Sequence, residues 1–174
     1  MEAECFPSEI EYCCSQNRTS SGAVVQYIID SNLLVLLVVG RVNHSLVGRH
    51  RRLKQFVPED FDRLVEVLTG ADRILVTPNT LTEASNLLAY QRGPERARLS
   101  EELRRLIERE IEIVVPSVVA ATRSEFRRLG LTDAALIEAA SDERQLLTAD
   151  LKLFRAALSS DARAAVYFRV ANQG

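Results

Sequence analysis

The chain is poor in the residues that build disulfide-rich and zinc-binding proteins. Only three of its 174 residues are cysteine, and all three lie in the first 14 positions: Cys5, Cys13 and Cys14. An odd number that includes an adjacent pair is not the disulfide framework of a small secreted domain. The cysteines also lack CxxC spacing, and a zinc site would need a ligand from one of only two histidines. We therefore expect a protein of the reducing cytoplasm.

Long apolar runs are also missing. The most apolar stretch, LLVLLVV at 33–39, is much shorter than the ~20 residues that a membrane-spanning helix needs. The N-terminus is acidic and lacks the basic and apolar regions of a secretory signal. These features predict no contact with a membrane.

What is present is enough for one folded domain. Hydrophobic residues make up 47% of the chain, which suffices for a full core at this length. There is no internal repeat and no linker rich in proline and glycine after residue 23. We predict a flexible N-terminal extension over 1–22 and a single domain over 23–174.

Short runs rich in β-branched residues alternate with segments of helical spacing. Strands are predicted at 24–29, 73–76, 111–115, 145–148 and 165–170. Helices are predicted at 31–39, 58–69, 95–109, 117–129, 134–140 and 151–158, with Pro58, Gly70 and Gly130 at helix boundaries. This alternation predicts an α/β fold, specifically a three-layer α/β/α sandwich with a mostly parallel central sheet.

Four carboxylates stand where a predicted strand gives way to a helix. They are Asp30, Glu83, Asp133 and Asp150. All strands of a parallel sheet point the same way, so their ends gather along one edge. Carboxylates within ~6 Å of one another resist joint ionisation unless a cation lies among them. Because oxygen ligands suit Mg²⁺ and Mn²⁺, the pattern predicts an acidic metal pocket.

Helix capping is the competing explanation for each acid taken alone. It assigns a capping box to Thr80 and Glu83, N-caps to Asp30 and Asp150, and a first-turn position to Asp133 beside a Thr132 cap. Serine, threonine and asparagine cap equally well, however. Capping therefore does not explain an acid at all four positions, and the joint interpretation as a site is favoured.

The segments that carry the acids resemble the four acidic motifs of PIN-domain ribonucleases, the fold of VapC-type toxins. They are YIIDSNLLVLLVVG, TPNTLTEASNLL, GLTDAALIEAA and LLTADLKLF, in that order. The resemblance runs from about Gln26 to Val170. It therefore covers nearly the whole chain and identifies 23–174 as a PIN-like nuclease domain.

The resemblance implies a metal-dependent endoribonuclease that hydrolyses RNA phosphodiester bonds, as a toxin or a defence nuclease. Its metal-site and catalytic carboxylates would be Asp30, Glu83, Asp133 and Asp150, supported by the polar groups of Asn32 and Thr148. We expect Asp30 and Asp150 to bind the principal Mg²⁺ or Mn²⁺, Asp133 to share it, and Glu83 to orient the attacking water. The partners expected are RNA, an antitoxin-like protein and a second copy of the chain.

A basic segment separates the first two acids. No acid occurs between Asp30 and Glu59. The spacing from Asp30 to Glu83 is longer than in the smallest toxins of the family, because Val42–Asp72 inserts this basic segment and a helix. We expect Arg51, Arg52 and Lys54 to contact the RNA backbone, although a solvated helix face explains them equally well.

Histidine chemistry is not expected. His44 and His50 lie in the same basic segment rather than at strand ends, and we predict that both are surface residues. RNA cleavage by histidine without a metal is therefore disfavoured.

Other α/β proteins also place an aspartate at a strand end. A HAD-like phosphatase needs a second aspartate two residues after the first, where this chain has Asn32. A receiver needs a lysine at a later strand end, and the one late candidate, Lys152, lies in a predicted helix. A catalytically silent PIN-like or receiver-like binding module with an acidic metal pocket remains the alternative, which RNA cleavage by the purified protein would distinguish.

Overall fold

Five short strands form the centre of the protein in a computed structural model that describes residues 24–171. They are β1 (Gln26–Ile29), β2 (Arg73–Val76), β3 (Ile111–Glu112), β4 (Arg144–Thr148) and β5 (Ala165–Tyr167). The sheet order is β3-β2-β1-β4-β5, and every neighbouring pair is parallel. The predicted extension over 1–22, with its three cysteines, lies outside the described residues.

Helices cover both faces of this sheet. They are α1 (Ser31–Val42), a 3₁₀ helix (His44–Arg49), α2 (Pro58–Thr69), α3 (Pro78–Leu88), α4 (Pro94–Arg109), α5 (Ser117–Thr122), α6 (Phe126–Leu129), α7 (Leu131–Ala139) and α8 (Leu151–Ser160). Helices α1 to α4 pack on one face, while α7 and α8 pack on the other. The predicted three-layer α/β/α sandwich is confirmed, and the sheet is parallel throughout.

The three central strands, β1, β2 and β4, are buried towards their carboxyl ends, where helices cover both faces of the sheet. Consecutive side chains of a strand point to opposite faces of the sheet. Ile29 and Leu147 therefore join the core under α1, whereas Ile28 and Leu146 pack against α7 and α8. Among residues 24–171, no helix has the length and apolar character needed to cross a membrane.

The prediction of one continuous helix over 117–129 was wrong, because the structure has two helices there, α5 and α6. Arg123 leaves the helical conformation at the end of α5. Its guanidinium then pairs with Glu125 and, at 2.8 Å, with Glu138 of α7. The ion pair with Glu138 joins the break to α7, and helical periodicity does not reveal such a contact.

Two predicted strands and one predicted helix face also differ from the structure. Strand β3 ends at Glu112 rather than at residue 115, and β5 ends at Tyr167 rather than at residue 170. Both are edge strands with a neighbour on one side only. On α4, Leu99, Leu103 and Leu106 are buried as predicted, but Ile107 is 45% exposed because it lies at the margin of the apolar face.

Candidate functional site

The carboxyl ends of β1 and β4 mark the point where the chain changes direction across the sheet. From β1 the connections run outwards to β2 and β3, and the chain then returns to β4 beside β1. Such a reversal leaves a crevice at the carboxyl ends of the two neighbouring strands, where open α/β sheets bind ligands. Asp30 directly follows β1, and Asp150 lies two residues beyond β4.

Asp30 is a buried carboxylate whose two oxygens both accept hydrogen bonds. Its Oδ1 accepts from the backbone N–H of Leu33 at 2.7 Å, so Asp30 caps α1 as predicted. Its Oδ2 accepts from the Thr148 hydroxyl and, at 3.3 Å, from the backbone N–H of Ala149. Burial raises the pKa of Asp30 to about 6, although these three hydrogen bonds act in the opposite direction.

Thr148 links Asp30 to Asp150. Its hydroxyl donates to Asp30 and accepts from the backbone N–H of Asp150 at 3.0 Å. The Asp150 carboxylate caps α8 as predicted, accepting at Oδ1 from the N–H groups of Lys152 at 2.7 Å and Leu153 at 3.2 Å. Asp150 is exposed, and its charge contributes to the raised pKa of Asp30.

We call the surroundings of Asp30, Glu83, Asp133 and Asp150 the acidic pocket, since the charges of the other three acids affect the pKa of Asp133. Glu83 does not form the predicted capping box. The N-cap of α3 is Thr77, whose hydroxyl accepts from the backbone N–H of Thr80 at 3.2 Å. Pro78 starts the helix earlier than expected because its fixed φ suits the first helical position. Glu83 therefore lies in the second turn, where its Oε2 accepts from the hydroxyl of Ser31 at 2.9 Å.

Asp133 is the acid whose pKa is affected by the charges of the other three. Helix α7 begins at Leu131 after Gly130, whose φ of 93° places it in the left-handed region that favours glycine. Thr132 is therefore inside the helix, and the prediction that it caps the helix was wrong. Burial, followed by the charges of Asp150, Glu83 and Asp30, raises the pKa of Asp133 to about 7.

The chemistry of this pocket suits a hard divalent cation. All four acids offer oxygen atoms, the donors that Mg²⁺ and Mn²⁺ prefer. Neither carboxylate oxygen of Asp133 has a hydrogen-bond partner within residues 24–171. In the same part of the chain, no group of three or more acid, histidine or cysteine side chains is arranged so that it could hold a metal ion. The oxygens of Asp30 are already occupied by protein donors, so the residues fit a metal in donor type rather than in a preassembled cage.

Two polar residues complete the surroundings of the acids. Asn32 lies half-buried in the first turn of α1, two residues from Asp30. Ser31, the donor to Glu83, is absent from the residues predicted from the sequence. Its position between Asp30 and Asn32 in the Asp-Ser-Asn motif is the signal that could have identified it.

An open cleft continues from the acidic pocket along α3. We call it the α3 cleft, with a volume of about 520 Å³ between α3, the loop after β3 and the start of α7. Glu83 lines the cleft and also accepts the hydrogen bond of Ser31, so the cleft and the acidic pocket share a wall. The sequence interpretation missed the cleft because its lining comes from three separate segments.

The structure places the two arginines of the basic segment against Tyr90. Arg51 and Arg52 are exposed, and their guanidinium carbons lie 5.6 and 5.2 Å from the ring centre of Tyr90. Tyr90 lies just past the end of α3, seven residues after Glu83, which corresponds to about 10 Å along the helix direction at ~1.5 Å per residue. Lys54 is exposed on the loop that follows the 3₁₀ helix.

One of the two histidines is not a surface residue. His44 is exposed and bonds Asp62 at 3.1 Å, as a surface residue can. His50, however, is only 1% exposed, which contradicts the prediction. The turn after the 3₁₀ helix directs its ring inwards, where Nδ1 accepts from the N–H of Arg52 at 3.4 Å, and burial lowers the pKa of His50. The prediction that both histidines are surface residues is therefore wrong for His50.

Comparison of this sequence with protein-family models gave no match, and comparison with curated proteins gave no match either.

Proposed function

We propose that this protein is a cytoplasmic, metal-dependent endoribonuclease that hydrolyses RNA phosphodiester bonds. The observation that carries the proposal is that Thr148 links Asp30 to Asp150 and that both acids, with Glu83, lie near enough to the partly buried Asp133 for their charges to add to the effect of burial on its pKa. Asp30 and Asp150 follow β1 and β4 at the switch point of the parallel sheet, and Glu83 and Asp133 belong to α3 and α7. Such crowding of like charge opposes folding unless a cation or a proton offsets it, and perturbed acids in a crevice are typical of functional sites.

Each residue of the pocket has a distinct part in this proposal. Asp133 and Asp150 would hold Mg²⁺ or Mn²⁺ with the oxygens that the protein leaves accessible, and Thr148 keeps Asp30 facing the same space. When bound, the metal supplies charge neutralisation at the phosphate and lowers the pKa of water. Glu83 is fixed by Ser31 at the rim, where its other oxygen can accept a proton from an attacking water.

The test is cleavage of single-stranded RNA by the purified protein with Mn²⁺, with Mg²⁺ and with EDTA. We expect cleavage with either metal and none with EDTA. Asp133→Asn should lower kcat/KM by about a hundredfold or more, since loss of even a residue that orients a metal ligand costs about 10–100-fold. The matched control is Asp142→Asn, which removes an exposed acid paired with Arg163. Cleavage that survives EDTA, or equal cleavage by the two variants, would contradict the proposal.

A catalytically silent binding module is the second candidate. It is favoured by the hydrogen bonds that already occupy both carboxylate oxygens of Asp30. A silent module would bind Mn²⁺ without cleaving any RNA. The same assay, combined with a metal titration, therefore separates the two candidates.

A further inference from the structure

The α3 cleft has the size and the lining of a ligand site. Its volume of about 520 Å³ falls within the ~300–1,000 Å³ of typical small-molecule pockets. One wall is a single polar face of α3 made by Asn79, Thr82, Glu83 and Asn86, at helical positions i, i+3, i+4 and i+7. The loop after β3 contributes Val115 and Pro116 to the lining.

The uncharged polar groups of this face are free to bind a ligand. Within residues 24–171, the side chains of Asn79, Thr82 and Asn86 make no hydrogen bond to the protein. A carboxamide offers a donor and an acceptor side by side, which is the pattern that pairs with the edge of a nucleobase. The apolar surface of Val115 and Pro116 can pack against the flat face of the same base.

The charge of the cleft argues against phosphate as the ligand. No lysine or arginine belongs to the lining, and its one charged residue is Glu83. Glu83 would repel a phosphate placed inside the cleft, whereas an uncharged base avoids this repulsion. A base in the cleft would leave its own ribose and phosphate at the shared wall, beside the acidic pocket.

We propose that the α3 cleft binds one unpaired nucleobase next to the phosphodiester that is cleaved. This inference rests on the proposed ribonuclease function and adds a substrate class to it. A base in a duplex already pairs through its Watson–Crick edge, so the amides of Asn79 and Asn86 select single-stranded RNA. The nucleotide beside the cut is therefore recognised through its base, and the others through their backbone.

The experiment uses single-stranded RNA heptamers of one sequence, each with one abasic nucleotide, cleaved by the full chain in Mn²⁺. For the unaltered protein, we expect one abasic position beside the cut to lower kcat/KM by about 10–100-fold. The variant Asn79→Ala/Asn86→Ala should cleave the intact RNA as slowly as the unaltered protein cleaves that abasic RNA. Its kcat/KM should no longer depend on whether that base is present. The control variant Ser85→Ala/Gln91→Ala removes polar groups of the same region outside the cleft and should behave like the unaltered protein.

Two results would overturn the inference: abasic positions that all have equal effect, or a cleft variant that cleaves like the control. Equilibrium binding of the same heptamers in EDTA separates this failure from failure of the proposed function. If nothing is cleaved, the ribonuclease proposal fails while binding still reports on the cleft. A binding constant that is the same for the intact and every abasic heptamer then overturns base recognition as well.

Discussion

Thr148 shows how a single residue organises the acidic pocket. Its buried hydroxyl donates to Asp30 after β1 and accepts from the backbone of Asp150 after β4. The carboxyl ends of two neighbouring strands are thereby held in one arrangement. Asp133 has no such hydrogen bond in the described part of the chain, so its carboxylate is the one most free to change partner or protonation state.

The pKa of Asp133 predicts how the stability of the metal-free protein depends on pH. This pKa is about 7 in the folded protein, above the ordinary value of about 3.9. The folded state therefore binds this proton more tightly than the unfolded state, and stability falls as pH rises from about 4 to 7. Asp133→Asn removes the penalty, so we expect its Tm in EDTA to exceed that of the unaltered protein at pH 8 and to equal it near pH 4.

Thermal melts between pH 4 and pH 8 in EDTA test this expectation. Asp142→Asn serves as the control because it removes an exposed carboxylate that pairs with Arg163. Its melts should follow those of the unaltered protein across the range. A Tm for Asp133→Asn at or below that of the unaltered protein at pH 8 would show that the carboxylate stabilises the fold.

At the scale of elements, α1 is packed so closely that a single methyl group matters. Gly40 lies against the aromatic ring of Phe61 on α2, and a Cβ at this position would overlap the ring. That ring also packs edge-on against His44, at 5.8 Å between centroids, so it has little room to turn. We expect Gly40→Ala to lower the free energy of unfolding by about 1–3 kcal/mol despite the better helix propensity of alanine.

Urea unfolding measures this change. Gly48→Ala is the control, because a Cβ at Gly48 would meet nothing within 4 Å. The control should change stability little. A Gly40→Ala variant as stable as the unaltered protein would mean that α2 can shift away from α1 without loss of core packing.

The basic segment is an element whose role remains a prediction. With Arg51 and Arg52 packed on Tyr90, about 10 Å from Glu83 along the direction of α3, its cations would contact phosphates away from the cut. Replacing Arg51, Arg52 and Lys54 by alanine should raise KM for single-stranded RNA several-fold. It should also lower the slope of log K against log salt by about 0.7 for each phosphate that these side chains neutralise.

In the same triple variant, kcat and the effect of metal on Tm should stay unchanged, because the pocket residues are untouched. The control variant replaces three arginines of α4 by alanine: Arg104, Arg105 and Arg109. These arginines are paired with nearby glutamates, so their removal should leave the salt slope as it was. Equal KM values for the two triple variants would identify the basic segment as an ordinary solvated surface.

The sequence predicted the elements better than their tertiary partners. Strand and helix periodicity located all five strands, and capping rules placed Asp30 and Asp150 correctly, because both depend on neighbours in sequence. The hydrogen bond from Ser31 to Glu83 joins residues 52 positions apart, and Arg123 at the helix break forms an ion pair with Glu138. Neither contact has a local pattern, so only the folded arrangement shows it.

At the scale of the whole molecule, the site must overcome the charge of the protein itself. The net charge is −2, so the molecule as a whole offers RNA no general attraction. The acidic pocket would in addition repel a phosphate that approached it without a cation. Binding of RNA is therefore expected to be tighter with the metal than in EDTA, and to be helped by local cations elsewhere.

Metal binding should appear as a gain in stability of the whole fold. A ligand that binds only the folded state at 100 times its Kd adds about 2.7 kcal/mol, or about 5–10 °C in Tm for a domain of this size. Since protons on Asp133 and Asp30 compete with the metal, with pKa values of about 7 and 6, the gain should be larger at pH 8 than at pH 6. Thermal melts with millimolar Mn²⁺, Mg²⁺ or EDTA measure this gain in Tm. The control Asp142→Asn should keep the gain, whereas Asp133→Asn should lose most of it. A Tm indifferent to all three additions would exclude a metal from the acidic pocket, and protons alone would then offset the charge of its four acids.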